Sequence, residues 1–296
     1  MDLRRRRLLM GASVSTTLCA LGSWTEYAQA LDKPAGARMP VVFVGHGSPM
    51  NAVRQNAFTR HLQQWGEALP RPKAILSVSA HWLTQGMTAV DVQAHPPTIH
   101  DFGGFPPELF AMQYPAPGAP AIAQETAARV KKPKLAGTSD WGLDHGTWTV
   151  LHHMFPRADV PVFQLSIDYA KPGAFHLELG RELAWLRDQG VLILGSGNIV
   201  HNLRATDRGV PDSISASRPW AAAFDDAVVK ALAGRDDKAL AEYAALDMSA
   251  AQAVPTPDHY FPLLYALGAA GAAEPARSVF AGFQAGTLSM RCLQFG

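Results

Sequence analysis

The sequence predicts an α/β fold: a single domain in which a central mixed, mostly parallel sheet is flanked by helices, with a metal site at the carboxyl-end edge of the strands. Three observations lead there. Short, largely apolar runs recur at residues 41–44, 74–80 and 191–194, as strands buried on both faces require. Stretches of helical periodicity alternate with them, which favours one large α/β domain over two small ones. Several runs also stop at glycine and histidine, at the place where open α/β sheets bind ligands beyond their strand ends.

Composition narrows the possibilities before any motif is considered. The chain has 296 residues, 48% hydrophobic and 17% charged, and its 26 Lys and Arg against 25 Asp and Glu give a net charge of +1. Such a balance leaves no electrostatic footprint for nucleic acid or an anionic membrane, so partners should be small or neutral. Residues 1–30 read as an export signal: Arg4 to Arg7 form a basic region, residues 8–21 an apolar one, and Ala28-Gln29-Ala30 a cleavage site. The apolar stretch is short and rich in Gly, Ser and Thr, which suits cleavage near Ala30 and release into a periplasm, not a stable membrane anchor. The paired arginines fit either a twin-arginine or a general secretory signal. Loss of this segment removes four arginines with Asp2 and Glu26, leaving 22 basic against 23 acidic residues, a net of −1. It also removes Cys19, and with Cys292 alone remaining neither a disulfide nor a thiolate cluster can form.

Residues 31–40 read as a linker and 41–296 as the catalytic domain. The run VVFV at 41–44 is the first strand, and His46 follows it between Gly45 and Gly47. Residues 52–69 are helix-like and end before Pro70. The next strand, AILSVSA at 74–80, again runs into a histidine, His81. A third strand is expected at 86–92. From 99 to 118 the chain reads IHDFGGFPPELFAMQYPAPG, too rich in Pro, Gly and aromatics for a regular element. Long irregular segments of this kind are commonly binding loops, and this one offers Phe102, Phe105, Phe110 and Tyr114 to an apolar or aromatic substrate. A short helix is expected at 120–130 and another at 147–154, the latter preceded by His145 between Asp144 and Gly146. There the helix dipole favours a neutral imidazole able to exchange a proton. His152 and His153 read as structural. Residues 160–167 form a strand, and 175–189 an amphipathic helix stopped by Gly190, with His176 facing solvent. The strand VLIL at 191–194 leads through GSGN to His201. Gly195 and Gly197 around Ser196 match neither a phosphate-loop fingerprint nor a hydrolase elbow. Helices at 217–233 and 236–246 follow. His259 then sits at a proline-bounded helix start, and closing strands are expected at 279–283 and 287–295.

Five of the 11 histidines, His46, His81, His145, His201 and His259, share one situation: a Gly- or Pro-rich junction beside the end of an element. Imidazoles without thiolates suit zinc, copper, iron or nickel. A hydrolytic zinc site would call for a carboxylate base, usually announced by H-E-x-x-H, which the sequence lacks. No carboxylate stands out beside these histidines, which leans towards a non-haem iron oxygenase with open positions for substrate and O2. A zinc-dependent hydrolase on the same scaffold and a non-catalytic exported metal-binding protein are the alternatives.

Six segments together, GHGSPMN, SAHW, HDFGGFP, LDHGTW, GSGNIVHN and PDHYFPLLYA, resemble the extradiol ring-cleavage dioxygenases of the LigB superfamily, specifically the 4,5-DOPA extradiol type. The resemblance spans residue 41 to the C-terminus. It implies Fe(II)-dependent opening of a DOPA-like catechol with O2 to a semialdehyde, with Zn(II) an alternative occupant in purified protein. It also implies that His46 and His81 bind the metal, that His201 and His259 face it, and that His145 is the acid/base residue. Other superfamily members complete their site with a glutamate, for which this chain shows no equivalent.

Overall fold

A computed structural model describes residues 38–207 and 214–296. The expected export signal at 1–30, and the expected linker up to residue 37, lie outside the described residues. Six strands form the central sheet: β1 (Val41–Gly45), β2 (Ala74–Ser79), β3 (Val162–Gln164), β4 (Val191–Gly197), β5 (Ala276–Phe280) and β6 (Cys292–Phe295). They lie in the order β5-β6-β1-β4-β2-β3. Neighbours from β1 through β4 and β2 to β3 are parallel, whereas β6 is antiparallel to both β1 and β5. The mixed, mostly parallel sheet expected from the sequence is therefore present, with one antiparallel edge.

Parallel neighbours need crossover connections, and helices supply them. Helix α1 (Ala57–Ala68) joins β1 to β2, α2 (Pro120–Arg129) and α3 (His145–Met154) lie between β2 and β3, and α4 (Gly173–Leu183) leads to β4. Two further long helices, α5 (Pro219–Ala233) and α6 (Phe261–Ala269), follow. The strand period of two sorts side chains onto the two faces. Val41 and Phe43 pack with Leu76, Val191 and Ile193 beneath α4 and α6. Val42 and Val44 pack with Ile75, Leu192 and Leu194 beneath α1 and α3. Each such side chain contributes about 1.5–3 kcal/mol when taken fully out of water, so a strand covered on both faces is apolar at consecutive positions. Every residue of α6 is buried, as befits a helix that is apolar all round. Among the described residues no helix is long and apolar enough to cross a membrane.

Several local expectations change. The helix expected from residue 52 begins at Ala57, because Pro49–Ala52 forms a 3-10 turn and Asn56 then caps the helix, exchanging hydrogen bonds with Thr59. The strand expected at 160–167 is two pieces, Val162–Gln164 and Ile167–Asp168. Thr88–Asp91, inside the strand expected at 86–92, pairs with Leu135–Thr138, a segment to which the sequence assigned no structure. His176 does not face solvent. It is fully buried, its Nδ1 3.0 Å from the Tyr265 hydroxyl and its Nε2 3.3 Å from the Lys171 carbonyl, so both ring nitrogens are satisfied and the helix turns that face inward.

Candidate metal centre

Strand register brings the histidines level. Gly45 on β1 lies opposite Gly197 on β4, and Ser79 on β2 opposite Ser196 on β4, so three adjacent strands end at nearly one height. His46 follows β1 by one residue and His81 follows β2 by two, and the His46 backbone N–H donates to the Gly197 carbonyl at 3.0 Å. His145 is the first residue of α3, capped by Asp144, whose carboxylate accepts from Thr147 N–H. Asp144 is itself held by the Ser79 hydroxyl at 2.6 Å and the Gln164 amide at 2.7 Å. Close approach of α3 to the strand ends depends on Gly146, where a Cβ would lie 2.5 Å from Ser79 Oγ and 2.8 Å from His81 Cδ2. His259 comes in from the other side, just before α6. Its carbonyl accepts the Asn198 N–H at 2.8 Å, and it passes so near Gly197 that a Cβ there would sit 2.2 Å from the carbonyl oxygen.

One ring nitrogen from each of His46, His81 and His145 lies within 4.8 Å of the other two. Ring centres of His46, His81 and His259 form a near-equilateral triangle with separations of 5.1, 5.3 and 5.0 Å. Hydrogen bonds at Nδ1 fix which nitrogen is free. The Ser196 hydroxyl donates to the Gly146 carbonyl at 2.5 Å, so at 3.1 Å from His46 Nδ1 it must accept, leaving the His46 Nε2 lone pair open. His145 Nδ1 donates to Asp101 Oδ2 at 2.9 Å, and His259 Nδ1 donates to Asp258 Oδ2. Oxygen acceptors behind imidazoles in this way orient and tune metal ligands.

A metal fits this donor set. His46 Nε2 and His81 Nε2 are 3.2 Å apart, close to the separation of about 3.3 Å between two tetrahedral ligands at roughly 2.0–2.1 Å from a zinc-sized ion. His46 and His259 are buried, and burial first, then the neighbouring histidines, hold both well below the ordinary histidine range. Burial followed by the charge of His145 takes His81 down to about 3, against the opposing pull of Asp101. Burial also lowers His201 to about 4, with Asp258 pulling the other way. These four rings are therefore neutral near pH 7 and keep lone pairs for a cation. Asp101 is pushed up by burial, but its hydrogen bond from His145 and the charges of His145 and His81 outweigh that and hold it below the usual carboxylate range.

Two more histidines, His201 and His259, are expected from the sequence to face the metal, each as ligand or as base. His201 stacks flat on His259, ring centres 3.5 Å apart and planes within 4°. An imidazole lone pair lies in the ring plane, so in this stacked arrangement the lone pairs of His201 and His259 do not converge on one point. Phe102 is where a substrate wall would be, edge-on to His145 at 5.4 Å and packed against Phe105 and Phe110. Tyr114 is not: it is buried in the apolar layer with its hydroxyl donated to the Phe155 carbonyl at 3.0 Å, so it has no face for a substrate. The carboxylates also revise the sequence reading. Asp101 and Asp258 do lie against the histidines. Asp258 immediately precedes its partner His259, and Asp101 stands in the HDFGGFP segment, but its partner His145 is 44 residues away, a pairing no spacing rule announces.

Comparisons with known proteins find relatives over most of the chain. A protein of Escherichia coli (strain K12) named 4,5-DOPA dioxygenase extradiol is 47% identical over 267 residues, covering 88% of this chain and 96% of that protein. A Beta vulgaris protein of the same name is 37% identical, covering 86% of this chain and 95% of its own length. The crystal structure of an uncharacterized Escherichia coli K12 protein superposes with a TM-score of 0.75 at 41% identity, covering 88% of this chain and all of that one. Residues 39–290 match the family described as the catalytic LigB subunit of aromatic ring-opening dioxygenase, and the chain belongs to that family.

Proposed function

We propose that this enzyme opens the ring of a DOPA-like catechol with O2, next to the diol, to give a semialdehyde. The observation that carries the proposal is the ring of buried and half-buried histidines at the ends of three parallel strands, bordered by the Phe102 wall. His46, His81 and His259 are proposed as the ligands. An imidazole centre stands roughly 3.2 Å from the ion it binds, so tetrahedral ligands place ring centres about 5 Å apart, the spacing this triangle has. His145 lies only 3.8 Å from His81 between ring centres, too close for both to bind one ion at that angle. It is proposed instead as the acid/base group, oriented by Asp101. The grouping of the His46, His81 and His145 nitrogens favours a second reading, with His145 as third ligand, and metal content of the two alanine variants separates them.

Fe(II) held there would supply a Lewis-acidic, redox-active centre at which catechol and O2 are brought together. The chain's own residues do the rest. Phe102, edge-on to His145, gives the substrate ring an aromatic surface and narrows access for water. His145 Nε2, freed by the bond from Nδ1 to Asp101, can accept the catechol proton and return it as the ring opens. His201, stacked on His259, is the second imidazole within reach of a proton.

Loading the protein with Fe(II) without air, then adding a panel of catechols and O2, should give a yellow ring-opened product. Silence across the panel would sink the proposal, and turnover of esters without O2 would point to a zinc hydrolase instead. Elemental analysis of protein purified without chelator or added metal tests Fe(II) against Zn(II). Export with cleavage near Ala30 is proposed from the basic, apolar and small-residue order of residues 1–30. N-terminal sequencing of the mature protein beginning upstream of residue 28 would refute it.

A further inference from the structure

We infer that Asp101 is a positioning residue that sets two histidines of the metal centre at once, and that the loop carrying it is therefore part of the site. The inference rests on the metal-dependent reading above and adds to it a residue on neither a strand nor a helix.

Both carboxylate oxygens are committed. Oδ1 accepts the backbone N–H of His145 at 2.8 Å, and Oδ2 accepts its ring Nδ1–H at 2.9 Å. The same Oδ2 lies 3.5 Å from His81 Nδ1. His81 follows β2 and His145 opens α3, so one side chain ties the ends of two separate elements at the centre. A carboxylate suits that position for a reason of valence. Each oxygen faces an N–H donor, and an amide of the same shape would have to turn its NH2 towards one of them. The tie also fixes the His145 tautomer, leaving Nε2 unprotonated towards the site.

The loop is anchored just before this point, where Ile99 donates its N–H to the Leu143 carbonyl at 2.9 Å and accepts the Trp148 indole N–H at 3.0 Å, and His100 Nε2 lies 3.0 Å from the Met112 carbonyl. Phe102, the next residue, lies edge-on to the His145 ring, so consecutive residues hold the edge and the flank of one imidazole. Gly103 and Gly104 follow, with no heavy atom within 4 Å of where a side chain would begin. On a loop already anchored at Ile99 and His100, Asp101 and Phe102 are the two consecutive residues that reach the His145 ring.

The test uses the full mature chain with Co(II) as probe, since its visible absorption reports ligand geometry without turnover. Asp101→Asn is expected to weaken Co(II) binding about 10- to 100-fold, to shift the absorption band, and to lower kcat more than it changes KM. Asp101→Glu keeps the charge but displaces its oxygens, and is expected to fall between Asn and wild type. Circular dichroism and the urea midpoint of the metal-free proteins show whether each variant is folded; should the Asn variant unfold, the Glu variant carries the same comparison. Wild-type Co(II) affinity and an unchanged band in the folded variants would overturn the inference. Failure of the wild-type protein itself to bind Co(II) would overturn the metal reading beneath it.

Discussion

Gly146→Ala puts the packing of the centre to a quantitative test. The new Cβ would stand 2.5 Å from Ser79 Oγ and 2.8 Å from His81 Cδ2, whereas ordinary contacts begin near 3.4 Å, so one or both must move by about 0.6–0.9 Å. Ser79 is bound to buried Asp144 and resists; His81, half-buried and reached from the loop after β2, is the part that yields. Overpacking of this size costs about 1–3 kcal/mol, partly offset by roughly 1 kcal/mol from replacing a helical glycine with alanine, and a domain stable by about 5–15 kcal/mol survives that. Chemistry is less tolerant: a displacement of about 1 Å can cost on the order of 10²-fold in rate. The variant should therefore fold with a urea midpoint near wild type, bind Co(II) more weakly and lose about 10²-fold in kcat/KM on the best catechol found. Wild-type affinity and turnover would refute the claim that contact between α3 and His81 sets the geometry.

Other expectations follow from named contacts. His259→Ala should purify without metal, while His145→Ala should retain it and slow turnover by roughly 10²- to 10⁴-fold; elemental analysis showing the reverse would exchange their roles. Phe102→Ala should raise KM for catechols with little change in stability. Tyr114→Phe should leave KM alone but lose about 0.5–1.5 kcal/mol of stability, the net worth of one hydrogen bond, because the Phe155 carbonyl keeps the Ala158 N–H and loses only the Tyr114 hydroxyl; a raised KM in the latter would return Tyr114 to the site. His176, lowered by burial to about 4, binds its proton more readily in the unfolded chain, so its contribution is complete above pH 6.5 and is lost as pH falls from 6.5 towards 4. Between pH 7 and 4.5 that amounts to about 2.5 kcal/mol at 1.36 kcal/mol per unit. The drop in urea-derived stability over that range should be smaller by that amount in His176→Gln; an equal drop in both proteins would contradict it.

The α/β class, the buried strands and the placement of His46, His81, His145, His201 and His259 beside element ends are local properties. Apolar runs at 41–44 and 191–194 can only be satisfied by burial on both faces, and a glycine or proline beside a histidine marks a junction wherever the chain goes afterwards. The sequence by itself determined those, together with the family to which the motifs belong. Position across the fold is another matter. That His201 lies flat on His259, that Tyr114 turns into the core, that His176 is buried, and that Asp101 reaches a histidine 44 residues on depend on strand register and on the angle at which α3 and α6 meet the sheet. Only the tertiary structure decided these, because a side chain's partners are set by which elements pack together, and residues far apart in sequence carry no local signal of that choice.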